Sequence, residues 1–344
     1  MTDFTRLPDL AVRPLGGSVV AASDEFFAEK ENLINPDPPV FVPRTFGAKG
    51  QVYDGWETRR RREPGHDWAV VRLGLPGVIR GVVVDTAHFT GNFPAHAAVE
   101  ACAADGYPTP EELTGWVEIV PRAPLSGDAA HAFPVTDGRR FTHVRLVIHP
   151  DGGVARLRVH GEVVPDPRLW AGLPIDLAAL ENGAVVADCS NRFYSSPANL
   201  ISPGLARVMG EGWETARRRF TGAWGESNDW VTVRLAGAGT VRLAELDTTH
   251  FRGNAPGAAA LRGLPPGADP ADAGAWFALL PRTRLQPDTR HRFVLADPRP
   301  AEQVRLDVFP DGGMARLRLF GELAPAGLAA AERRWAETTG PYTV

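Results

Sequence analysis

The chain is short of the residues that would lock or anchor it. Two cysteines, Cys102 and Cys189, stand in different halves of the sequence. That is too few for a disulfide framework and fits a reducing compartment. No apolar run approaches the roughly 20 residues that cross a bilayer, and Met1 to Arg13 lacks the charged leader and apolar core of a secretory signal. A soluble, cytoplasmic protein without membrane contact is expected. Excess positive charge is missing as well. Lys+Arg number 37 against 41 Asp+Glu, for a net charge of −4, so nothing favours a nucleic-acid partner. Cys-x-x-Cys, His-x-x-x-His and Gly-x-Ser-x-Gly patterns are absent, which argues against a cysteine nucleophile or serine triad of the familiar kinds.

What the sequence does have is turn residues and a text written twice. Its 36 Gly and 31 Pro are scattered along 344 residues that are 44% hydrophobic, as expected of short strands joined by turns, with length for two cores. Gly55-Trp56-Glu57-Thr58, followed by Arg59 to Arg62, returns as Gly212-Trp213-Glu214-Thr215, followed by Ala216 and Arg217 to Arg219. Asp85-Thr86-Ala87-His88-Phe89 with Gly91-Asn92 returns 162 residues later as Asp247-Thr248-Thr249-His250-Phe251 with Gly253-Asn254. Pro121-Arg122 returns as Pro281-Arg282, and Pro150-Asp151-Gly152-Gly153 as Pro310-Asp311-Gly312-Gly313, both 160 residues on. Matches in the same order mean an internal duplication. The expected units are 14–168 and 180–325, with a linker at 169–179 and a tail at 326–344. Leu328 to Thr338 reads as a short helix that docks on a neighbour.

Each unit reads as β. Val144, Leu146 and Ile148 share one strand face. Leu157 and Val159 point one way from the next strand, and Arg156, Arg158 and His160 the other. Pro150-Asp151-Gly152-Gly153 between them has the chemistry of a tight turn, so a hairpin is predicted. Trp68 to Leu73 and Val78 to Val84 read as separate strands parted by Gly74-Leu75-Pro76-Gly77. Such a pattern predicts a sandwich or jelly roll.

Asp85 and His88 follow the apolar run Val82-Val83-Val84, where a core strand leaves its sheet and a rigid scaffold presents a loop. They suit a base with its partner, or two metal ligands. They equally suit an Asx turn and a histidine packed at the rim, and repetition does not choose between these readings. In the runs Arg59 to Arg62 and Arg217 to Arg219, one or two arginines pointing inward would suit carboxylate or ureido oxygens, the others being solvated with Glu57 and Glu63 as partners. Seven of the nine histidines lie in the first copy, where His149 and His160 stand opposite Phe309 and Phe320 in the second. The copies are therefore expected to differ chemically.

The segments Ser23 to Phe27 with Glu31 to Ile34, Asp54 to Arg62, His66-Asp67-Trp68, Asp85 to Asn92 and Pro150 to Arg156 together resemble the allantoicase (allantoate amidinohydrolase) family. The resemblance covers about residues 14 to 325 and includes that family's duplication. Each copy is also similar to a discoidin-like, galactose-binding-type jelly roll. The resemblance implies an all-β chain of two tandem jelly-roll β-sandwiches with a short C-terminal helix. It implies hydrolysis of allantoate to ureidoglycolate and urea. On that footing His88 is expected as acid/base with Asp85 orienting it, Arg61 or Arg62 on the carboxylate, and Asn92 on a ureido group. Glu57, Arg122 and His149 are further expected substrate contacts. Asp247, His250, Asn254, Arg218 and Arg282 are the equivalents in the second copy, where Ala216 and Phe309 break the pattern. The sequence requires no cofactor. A divalent metal such as Mn²⁺ stays open, although Asp85 plus His88 would be an incomplete ligand set. The rival readings are a non-catalytic ligand-binding module and a metal-dependent hydrolase of another ureido compound. The expected partners are a small-molecule substrate and, from edge strands and the Trp335 tail, further copies of the chain.

Overall fold

A computed structural model describes residues 3–218 and 227–340. Arg219, the last of the second arginine run, lies outside the described residues. The chain forms two compact units, Met1–Pro165 with Ala336–Val344, and Asp166–Trp335. Strands dominate both, and the one α-helix among the described residues is α1 (Pro325–Thr338).

In the first unit the principal strands are β1 (Ser18–Ala22), β2 (Asp67–Asp85), β3 (His96–Cys102), β4 (Val117–Pro124), β5 (Ala130–Pro134), β6 (Arg140–His149) and β7 (Arg156–Val163). The second unit repeats them as β8 (Val185–Cys189), β9 (Asp229–Asp247), β10 (Ala258–Leu264), β11 (Phe277–Arg284), β12 (Arg290–Val294), β13 (Pro300–Phe309) and β14 (Arg316–Leu323).

The strands predicted at Trp68 to Leu73 and Val78 to Val84 are one continuous strand, the 19-residue β2. Its amino-terminal half pairs with β1 and β6, its carboxy-terminal half with β5 and β7, and the register breaks between Arg72 and Gly77. The Gly74 to Gly77 stretch therefore bends a strand shared by both layers of the sandwich instead of ending one. Apolar side chains from both halves of β2 and from β6 and β7 fill the space between: Val71, Val82, Val84, Leu146, Ile148, Leu157 and Val159 are fully buried.

Pro150 to Ala155 is not a hairpin turn. β6 pairs with β2 and β3, whereas β7 pairs with the other half of β2, so the segment crosses from one layer to the other. Turn chemistry is local, but the choice of partner strand is not, and both flanking strands bury more against β2 than against each other. On the way Gly153–Val154 pairs with Trp56–Glu57. The second unit does the same with Gly313–Met314 and Trp213–Glu214. That crossover brings distant motifs to one rim.

Candidate active site

Each repeated segment has a packing reason to meet at the crossover. Trp56 is fully buried and its indole Nε1 donates to the Asp24 carbonyl at 2.7 Å. Trp213 donates likewise to Asn191 at 2.9 Å. The Thr58 amide donates to the Gly152 carbonyl, and Gly152 N donates back to Thr58 Oγ1 at 3.1 Å. Gly153 lies against Phe89, so closely that a Cβ there would stand 2.0 Å from the ring. Gly153 N donates to the Asn92 carbonyl at 2.7 Å. The side chain of Asn92 then reaches Glu57 Oε1 at 2.7 Å. Burial pushes the Glu57 carboxyl above the usual range, against the pull of that hydrogen bond. Asn254 and Glu214 make the same contact at 2.6 Å.

Acidic side chains hold the arginine run to this rim. Asp151, nearly buried, accepts the Arg61 amide at 2.7 Å. The Arg61 guanidinium turns away to Asp67 Oδ1 at 2.7 Å, with the His66 carbonyl also in reach. Arg218 is fixed identically, to Asp311 and Asp229. Its neighbour Arg217 donates to Asp311 at 3.0 Å and to the Gly253 carbonyl at 2.8 Å, which shows what a side chain at this position can reach. In the first unit the matching Arg60 is exposed, as is Arg62, and neither is hydrogen-bonded or ion-paired among the described residues.

Asp85 accepts the Ala87 amide at 2.8 Å, an Asx turn. Asp247 does the same for Thr249. His88 has a positive φ of 68°. Its amide donates to Asp128 at 2.8 Å and its Nε2 to the Pro39 carbonyl at 3.2 Å. His250 repeats this with Asp288 and Ala206. The His88 ring also stacks on Phe41, centroids 5.7 Å apart. Among the described residues no hydrogen bond joins Asp85 to His88. Both side chains are half-buried and hold the loop that presents Asn92.

His149 ends β6, with its ring 5.4 Å from that of His66. Burial, with the charges of Arg122, His66 and His96, holds its imidazole below the usual range. Arg282, the counterpart of Arg122, lies 4.2 Å over the Phe309 ring. His160 is structural, its Nδ1 against the Leu7 carbonyl at 2.9 Å. Arg156, expected to face outward with it, is 2% exposed. Its guanidinium bonds the Asp54 carboxylate at 2.7 Å and the Asp37 and Asp54 carbonyls at 3.0 Å, which meet its donors and tie the 35–54 loop to β7. Among the described residues no three His, Cys, Asp or Glu side chains are placed to hold a metal ion.

Sequence reasoning passed over Arg60, Asp67, Asp151, His66 and His96. Asp151 stood in view, repeated as Asp311, but the turn explained it locally.

The Allantoicase repeat model matches residues 8–164 and 175–324. A probable allantoicase of Nocardia farcinica is 61% identical over 93% of this chain and 95% of its own length. One from Streptomyces coelicolor is 51% identical over 98% of this chain and 91% of its own. The crystal structure of allantoicase from Saccharomyces cerevisiae aligns with a TM-score of 0.76 at 34% identity, covering 92% of this chain and 93% of that one.

Proposed function

The chain belongs to the allantoicase family, and on that footing we propose that the crossover rim is where its chemistry is done. It hydrolyses allantoate to ureidoglycolate and urea. The observation that carries the placement is the Glu57–Asn92 contact, a half-buried carboxyl with raised proton affinity at the meeting point of the repeated motifs.

The reaction breaks the bond from the central carbon to one ureido nitrogen and makes a bond to water oxygen. Glu57 carries the protons. As the acid it gives one to the departing urea nitrogen. As the carboxylate it then takes one from the water that adds to the central carbon, ending protonated with one water consumed. Asn92 holds Glu57 in place, and Arg60 and Arg62 are the free guanidinium donors for substrate oxygens. Arg61 acts through Asp67 as a positioning residue. In this reading Asp85 and His88 build the presenting loop and do not exchange protons with substrate.

Assembly into a homo-oligomer in the cytoplasm belongs to the same proposal. The free thiols of Cys102 and Cys189 support a reducing compartment. The exposed pairs Phe26–Phe27 and Phe193–Tyr194 support self-association, which light scattering reads directly. A urea assay on allantoate, with allantoin in parallel, tests the activity. A binding module releases no urea, and a hydrolase of another ureido compound ignores allantoate.

A further inference from the structure

The two units differ at one place beside the rim. In the first, β3 and β6 set His96 opposite His149 in the ladder. His66 lies just before β2, with its ring 5.4 Å from that of His149. Arg122 on β4 is near enough for its charge to act on His149. Nδ1 of His96 is buried without a hydrogen-bond partner. Among the described residues none of these four side chains makes a hydrogen bond or an ion pair. Asp67, next to His66, accepts from Ser23 and Arg61 on Oδ1, and its buried Oδ2 has no hydrogen-bond partner among them.

In the second unit the same places hold Asn228, Ala258, Phe309 and Arg282. Asn228 donates to Asp307 at 2.8 Å, and Arg282 is stacked on Phe309. There the site is closed by its own side chains. In the first unit a guanidinium and three imidazoles converge, and among the described residues none of them is paired with an acid, an arrangement that an anion completes.

We propose that His66, His96, His149 and Arg122 form the subsite for the substrate's carboxylate, so that each chain holds one α-ureido carboxylate, in its first unit. The inference rests on the allantoate reading above.

Hydantoate (ureidoacetate) is the probe, since it keeps the carboxylate and one ureido group but has no second one to lose. Calorimetry on the full chain should give one hydantoate per chain. Replacing His149→Phe with His66→Asn, the residues of the second unit, should weaken it roughly 10–100-fold, as expected for lost hydrogen bonds to a charged group. Imidazole NMR of the unmodified protein needs no variant. Hydantoate should shift His66, His96 and His149 and leave His250 and His291 unmoved. Two molecules per chain overturn the proposal, as do unmoved first-unit imidazoles or an affinity unchanged in the variant. So does no binding by an enzyme that releases urea from allantoate. If urea is not released from allantoate at all, it is the functional reading that fails.

Discussion

Asn92 donates its side-chain amide to Glu57 at 2.7 Å, and Asn254 does so to Glu214 at 2.6 Å. A hydrogen bond to a carboxylate favours its charged form, while burial favours the neutral one, and at Glu57 burial wins. An acid that must be protonated loses activity as pH rises through its pKa. Asn92→Ala removes the contact that favours the charge, so the alkaline limb of kcat should move to higher pH. A pH–rate profile of the variant beside the parent checks the direction.

His88 donates through Nε2 to the Pro39 carbonyl and so fastens one loop to another. His88→Asn should cost about 1 kcal/mol of stability and leave urea release within a few-fold of the parent. Chemical denaturation and turnover on the same preparation test this. A loss of turnover on the order of 10²-fold or more in a folded variant would return His88 to the chemistry.

A Cβ on Gly153 would meet the Phe89 ring at 2.0 Å, whereas one on Gly91 has nothing within 4 Å. Gly153→Ala should destabilise by roughly 1–3 kcal/mol through overpacking. Gly91→Ala should stay within about 0.5 kcal/mol of the parent. Urea denaturation separates the two.

His143 is buried on β6 beside Arg72. Burial first, and then the Arg72 charge, hold its imidazole at about 4 instead of 6.5. The unfolded chain therefore binds a proton that the folded one refuses, and stability from this group falls as pH drops from 6.5 towards 4. The slope at full effect is about 1.4 kcal/mol per pH unit. His143→Gln should flatten the acid side of the stability profile and leave it unchanged above pH 6.5.

The duplication and the β character were open in the sequence, because repeated motifs and alternating apolar residues are local signals. Gly74 to Gly77 and Pro150 to Gly153 were misread for one reason. Glycine and proline mark where a chain bends, but not whether it turns back or passes to the other layer. Asp85 and His88 drew the functional reading because they are chemically versatile, yet an Asx turn accounts for Asp85 and a loop-fastening bond to the Pro39 carbonyl for His88 equally well. His66, His96 and His149 are far apart in the chain, and only the β3–β6 ladder and the start of β2 bring them together. What did show was their loss in the second copy, at Phe309 above all.

The most direct test is urea release from allantoate by the parent, Glu57→Gln and Glu214→Gln, each checked for folding. The account predicts urea and ureidoglycolate in equal amounts from the parent, and a fall of roughly 10²–10⁴-fold in Glu57→Gln. Near-parental turnover is expected from Glu214→Gln. Undiminished urea release by a folded Glu57→Gln protein would contradict it.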